Sequence, residues 1–267
     1  MDTLQPVASD FLSRILRDKE AEVAAAKAAL PHAVMEERAR AAPPPLPALA
    51  ALRGERLRVI AEVKRASPSA GVFAGGLDAA SQGRRYAAGG AAAISVLTDG
   101  PYFQGSLADL EAARKAVSIP LLRKDFIIDP YQVHEARAAG ADLVLLIVAA
   151  LSAARLTELL RVTTDLGMGA LVEVCTEDEA RLARDLDAPL VGINNRNLRA
   201  FTVDMETTAR LRPLLAPRTV VASLSGIKTV EDARAMRATG VDAVLVGEAL
   251  ARAAEPECLL AELAGLP

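Results

Sequence analysis

Short apolar runs, partly β-branched, recur eight times along this chain, and a stretch of helical periodicity follows each one. The runs are Leu57–Val63, Ala92–Leu97, Ile119–Leu122, Leu143–Val148, Ala170–Val174, Leu190–Ile193, Thr219–Ala222 and Ala243–Val246. Near-continuous apolar strands belong to parallel sheets buried on both faces, and parallel neighbours need a crossover helix between them. Segments such as Leu107–Ala116, Leu151–Leu166 and Val230–Ala238 supply those helices. Most end on glycine, at Gly89-Gly90, Gly140, Gly167 and Gly240, a residue that turns the chain out of a helix and into the next strand. Eight such units predict an α/β fold, a closed (β/α)8 TIM barrel. The rival is an open doubly wound sheet, but no G-x-G-x-x-G follows the first strand and the strand spacing shows no larger break.

Ahead of the first strand, residues 9–29 read as an amphipathic helix, with Ser9 or Asp10 as its cap and Phe11, Leu12, Ile15, Leu16 and Val23 at helical spacing. The Pro43–Pro47 stretch cannot continue a helix and reads as a connector. Residues 1–50 are therefore expected to be a helical extension packed on a barrel of residues 51–267. A length of 267 residues, 52% of them hydrophobic, suits a single such barrel. The net charge is −3 and the Lys and Arg residues are scattered, which argues against nucleic acid or a membrane surface as partner. The longest apolar runs, such as Leu143–Leu151, are too short to span a bilayer, and the first residues do not have the pattern of a signal peptide. Cys175 and Cys258 lie far apart without metal-ligand spacing and read as reduced thiols. A cytoplasmic protein, monomeric and without a metal, is expected.

In a barrel of this kind the chemistry sits where the strands end, at their C-terminal side. Strand 1 runs out through Glu62, Val63, Lys64, Arg65, Ala66 and Ser67, and alternation turns Glu62 and Lys64 the same way, into the barrel mouth. Strand 3 leads into Arg123-Lys124-Asp125, strand 5 carries Glu173 between Val172 and Val174, and strand 6 leads into Asn194-Asn195-Arg196. A charge inside an apolar run needs a partner or a function. Two Lys and two Glu at inward-facing strand ends make a plausible acid–base set, because their mutual fields set which of them is protonated. Strand 7 ends in Ser225-Gly226 and strand 8 in Gly247-Glu248, each just ahead of a helix. Small residues and free N–H groups there fit the usual phosphate site of the fold. His32 and His134 lie off the strand ends and read as structural or surface residues. Tyr102 and Phe103, after strand 2, either cover an aromatic substrate or pack their own loop.

At this point the chain resembles the indole-3-glycerol-phosphate synthase family over nearly its whole length. The resemblance rests on ILRDKEAEV, IAEVKRASPSAG, AISVLTDGPYFQGS, LLRKDFIIDPYQVHEARAAGADLVLLI, LVEV, GINNRNL, SGI and LVGEAL. It implies a carboxy-lyase of tryptophan biosynthesis that needs no cofactor. The implied reaction converts 1-(2-carboxyphenylamino)-1-deoxyribulose 5-phosphate to indole-3-glycerol phosphate, CO2 and water. By the same resemblance Lys124 is the general acid and Glu173 the second proton-transfer group. Lys64 pairs with the anthranilate carboxylate, and Glu62 orients the lysines and a substrate hydroxyl. Ser67, Asn194 and Arg196 are placed in the substrate site, while Ser225, Gly226, Gly247 and Glu248 hold the phosphate. Asp125 is expected to support Lys124.

One position departs from the family pattern. Where Glu-Ser-Gly-Ile is expected after strand 7, this chain has Leu224-Ser225-Gly226-Ile227. The alternatives are another phosphate-binding barrel of aromatic amino-acid biosynthesis, which would share the SGI and VGEAL ends but not the long third-strand block, or a barrel that still binds phosphate and has lost catalysis.

Overall fold

The protein is described here through a computed structural model, which covers residues 8–68, 71–72, 74–197 and 202–266. Its eight barrel strands are β1 (Arg58–Val63), β2 (Ala93–Leu97), β3 (Leu121–Lys124), β4 (Leu143–Ile147), β5 (Gly169–Val174), β6 (Leu190–Asn194), β7 (Val220–Leu224) and β8 (Ala243–Val246). Each pairs in parallel with the strands before and after it, and β8 pairs with β1 to close the barrel.

The two-residue period of a strand sorts the apolar residues into two cores. Ile60, Leu122, Leu145, Leu171, Ala222 and Leu245 belong to the cluster that fills the barrel. Their immediate neighbours Val59, Ala61, Val144, Val172, Val221 and Val244 belong to the cluster between the strands and the surrounding helices. A strand buried on both faces in this way reads as a continuous apolar run. The helix-to-strand turns use Gly90, Gly140, Gly167 and Gly240, all at φ between 71° and 90°, a region in which a Cβ is strained.

Besides β6, which gains Asn194, two strands run two residues further than the apolar pattern predicts. β3 continues through Arg123 and Lys124, and β7 through Ser223 and Leu224. In both cases a polar residue that reads as the end of a strand is satisfied on the helix side. Buried Arg123 donates to the Gln132 carbonyl at 2.9 Å and to Thr98 Oγ1 at 3.1 Å. Ser223 sits in a buried set with Asn195 and Thr208.

The extension holds more helix than the sequence pattern suggests. α1 (Ala8–Ala29) is followed by α2 (His32–Ala41) and by the short α3 (Ala48–Ala51). The chain breaks at Pro31 rather than running directly into the Pro43–Pro47 connector. α2 buries only Met35 and Ala39, which is too sparse a stripe to stand out in the sequence. The cap expected from Ser9 or Asp10 involves side chains outside the described ones. Among the described residues no helix is long and apolar enough to cross a membrane.

Candidate active site

Parity decides what reaches the barrel mouth. Glu62 stands two residues beyond Ile60 on the inward face of β1, and Lys64 two beyond Glu62. Lys124 follows Leu122, Glu173 follows Leu171, Leu224 follows Ala222 and Gly247 follows Leu245 in the same way. The interior core therefore passes into the chemistry without a change of register. The residues assigned to the site from the sequence line one cavity of about 390 Å3 at this end: Glu62, Lys64, Ser67, Lys124, Glu173, Asn194, Arg196, Ser225, Gly226, Gly247 and Glu248.

At the centre of the cavity lies a buried Glu62, with Lys64 Nζ 2.5 Å from its Oε1 and Lys124 Nζ 3.8 Å from its Oε2. Burial pushes this carboxyl up, but the two ammonium groups outweigh burial and hold it below the usual carboxylate range. Glu173, also buried, is displaced the other way. Burial raises it, and the charge of Lys124 and a 2.9 Å hydrogen bond from Asn194 Nδ2 offset only part of that rise. Two carboxyls of one cavity thus have their proton affinities pushed apart, the pattern expected of a fixed anion beside a proton-exchanging group.

The loops after β6 and β7 are held from behind. Asn195 Nδ2 donates to Ser223 Oγ at 3.0 Å and to the Ser225 carbonyl at 3.1 Å, while Asn195 Oδ1 accepts from Thr208 Oγ1 at 2.8 Å. Ser225 and Gly226 both have positive φ, 65° and 87°. The helix after them starts at Val230, where the periodicity puts it, and so not directly at Ser225-Gly226. The Asp232 carboxylate of its capping box takes the N–H groups of Lys228 and Thr229, so an anion at this point meets the Ser225–Ile227 loop rather than the helix start. Gly247 directly precedes the helix Glu248–Arg252. A Cβ on Gly247 would lie 2.5 Å from Glu62 Oε1 and 3.1 Å from Lys64 Nζ, so only glycine leaves that ion pair in place. The Glu248 carboxylate accepts from Arg252 at 2.9 Å, leaving its backbone as the part suited to an anion.

The extension contributes more to the site than its sequence announces. Phe11, Leu12 and Ile15 of α1 form one wall of the cavity, with Phe103 and Phe126 nearby. Phe103 therefore faces the cavity, whereas Tyr102 packs edge-on against Phe11 and donates to Asp18 of α1 at 2.5 Å. One turn beyond Ile15, Lys19 is 1% exposed and reaches Asp125 at 2.9 Å and Asp99 at 3.1 Å. Asp125, read from the sequence as the support of Lys124, is engaged elsewhere: it pairs with Lys19 and Arg123 and accepts from Thr98 Oγ1 at 2.7 Å. Burial raises the Asp125 carboxyl, and the two cations overcome that to hold it at about 2. The signal for Lys19 was present in the sequence as a lysine set within the apolar stripe Leu12–Ile15–Val23. Cys175 is half-buried and does not line the cavity; burial and nearby carboxylates push its thiol up to about 11, away from a nucleophile.

Comparison with known proteins gives one family. Its profile, described as Indole-3-glycerol phosphate synthase, matches residues 12–263. Proteins named indole-3-glycerol phosphate synthase from Rhodococcus opacus (strain B4) and Roseiflexus sp. (strain RS-1) are each 51% identical to this chain. The first aligns over 252 residues, 94% of each protein, and the second over 264 residues, 96% of this chain and 98% of the relative. A protein of the same name from Mycobacterium ulcerans (strain Agy99) is 50% identical over 252 residues, 94% of this chain and 93% of its own. A closed eightfold barrel, a cavity at the strand ends lined by the motif residues, and these full-length matches agree: the chain belongs to the indole-3-glycerol phosphate synthase family.

Proposed function

We propose that this chain closes the indole ring of 1-(2-carboxyphenylamino)-1-deoxyribulose 5-phosphate, releasing CO2 and water and leaving indole-3-glycerol phosphate. The observation that carries this reading is the opposed displacement of Glu62 and Glu173 around Lys64 and Lys124 in one cavity. The reaction needs a donor for the ribulose carbonyl oxygen as the ring carbon attacks it, and Lys124 takes that role. Loss of CO2 then restores the aromatic ring without a further catalytic group. The last step expels the former carbonyl oxygen as water, and Glu173 exchanges the proton this requires. Lys64 holds the anthranilate carboxylate, and Glu62 stays ionised to keep both lysines in position. Ser67, Asn194 and Arg196 frame the substrate, and the backbone of Ser225, Gly226, Gly247 and Glu248 takes the phosphate. The aromatic ring lies against the α1 wall. Fluorescence of indole-3-glycerol phosphate formed from the purified chain and this substrate is the test; no product under any substrate concentration overturns the reading.

Glu173 gives the reaction its pH dependence. With its proton affinity raised, the ionised form that accepts a proton is lost below a pH higher than that of an ordinary carboxylate. Because Glu173 acts after CO2 has left, the acid limb of kcat is therefore expected above the usual carboxylate range. Glu173→Gln should lower kcat by about 100-fold and remove that limb. An unchanged limb in the variant would place the titrating group elsewhere.

Leu224 lies 1% exposed at the end of β7, filling the space beside Gly192. A carboxylate at this point would add a hydrogen-bond acceptor next to the substrate hydroxyls, an interaction worth about 1.5–3 kcal/mol with a charged group. Leu224→Glu should raise kcat/KM by roughly ten- to a hundred-fold if that interaction strengthens in the transition state. It should also lower Tm, because an apolar contact inside the barrel is exchanged for a buried charge. Kinetics and thermal unfolding of both forms decide it: a variant no faster than the parent means that leucine costs this chain nothing.

A further inference from the structure

The fold brings together two histidines that lie about a hundred positions apart in sequence. His32 opens α2, and His134 sits on the helix Pro130–Ala138 that follows β3. Their rings meet edge-on with centroids 5.2 Å apart. Glu36, one turn after His32, places Oε1 between them, 3.7 Å from His32 Nε2 and 3.9 Å from His134 Nε2. Its other oxygen accepts from Arg40 at 3.0 Å, leaving Oε1 on the side of the imidazoles. His32 Nε2 and His134 Nδ1 are shielded from solvent and have no hydrogen-bond partner among the described residues. Buried polar atoms ordinarily find partners, and those that do not call for an explanation such as an ion. None of the three residues lines the cavity of the active site.

We propose that His32, Glu36 and His134 form a site for a divalent transition metal of the zinc class, which clips the N-terminal extension to the barrel. Two imidazoles and one carboxylate with a fourth position left for water is an arrangement zinc takes readily, with ligands at about 2.0–2.2 Å. In a tetrahedral site such bonds put the donor atoms about 3.3–3.6 Å apart. One donor from each residue already lies within 4.8 Å of the others, so side-chain rotation brings them to the metal without moving either helix. Tyr131 stacks edge-on against His32 at 5.8 Å and walls one side of the group. Softer sulfur ligands are absent, which favours zinc, cobalt or nickel over copper(I). Because two ligands come from α2 and one from the barrel, the ion adds to the packing and to the 3.1 Å hydrogen bond from Arg137 to the Ala42 carbonyl that already join these helices, and it stabilises only the docked form.

The test uses the full chain, stripped with a chelator and titrated with Zn2+ by calorimetry and with Co2+ by visible absorption. One equivalent should bind per chain, the cobalt form should show the intense bands of a tetrahedral site, and Tm should rise by a few degrees at saturating metal. His134→Gln and Glu36→Gln, which keep the local packing, should each weaken binding by at least about tenfold, as loss of one ligand requires. The Cys175→Ser/Cys258→Ser double variant should bind as the parent does. Circular dichroism confirms that each variant is folded. Failure of both metals to bind, or binding that is retained in the histidine and glutamate variants, overturns the proposal.

Discussion

Lys124→Ala should abolish useful turnover, lowering kcat by about 100- to 10,000-fold while leaving the barrel folded. Lys124 ends β3 on the inward face and points its ammonium toward Glu62 across 3.8 Å. Removing it does not strand Glu62, because Lys64 remains 2.5 Å from the other oxygen. The circular dichroism spectrum and Tm should therefore stay close to those of the parent. Lys124→Arg separates the two things a lysine supplies here. Arginine keeps the positive charge but does not release its proton at any working pH. If Lys124 acts as the acid, the arginine form is nearly as slow as the alanine form; if it acts only through its charge, much of the rate returns. A folded Lys124→Ala protein with the parental kcat would remove Lys124 from the mechanism.

The largest expected effect on stability comes from a residue that touches no substrate. Lys19→Met should cost about 3–5 kcal/mol, the range for removing one member of a buried ion cluster. Lys19 is raised above its usual range; burial works against its charge, but Asp125, Glu22 and Asp99 outweigh that. Methionine fills much of the same volume, so the loss falls on Asp99 and Asp125. Asp125 keeps Arg123, whereas Asp99 loses the one cation within ion-pair distance of it among the described residues. For a chain of this size the corresponding drop in Tm is roughly 6–20 °C. KM should rise together with it, because Phe11, Leu12 and Ile15 on the same helix form a wall of the cavity. Asp99→Asn in the same chain should restore part of the loss, since the two changes share one interaction. An unchanged Tm in Lys19→Met would mean that the cluster contributes nothing to holding α1.

The barrel was legible because its strands are buried on both faces and therefore carry an unbroken apolar signal. Helices Leu107–Ala116 and Val230–Ala238 fall where the periodicity puts them. Errors gathered where polarity has a partner that sequence does not display. Arg123 and Ser223 look like chain leaving a sheet, yet each is inside a strand and satisfied in part by a residue well away along the chain, Thr98 and Asn195. The mouth was legible through parity on β1, since alternation places Glu62 and Lys64 on one face, and through Glu173 as a charge set inside an apolar run. The roles of Asp125 and Lys19 were not. Each depends on which of several nearby ions it meets, and that is settled by how α1 lies across the barrel. The same holds for His32 and His134, unremarkable singly and adjacent only in space.

The helix that walls the active site also orders the events of folding. α1 is made first, but Lys19 is satisfied by Asp99 and Asp125, and Lys27 by Asp129 at 2.8 Å, residues synthesised some hundred positions later. Burying Lys19 before those carboxylates are in place would leave a bare charge in an apolar setting. Docking of α1 must therefore wait for β2, β3 and the loop beyond them. The wall that Phe11, Leu12 and Ile15 give the cavity is therefore set by strands β2 and β3, whose carboxylates decide when α1 can lie down.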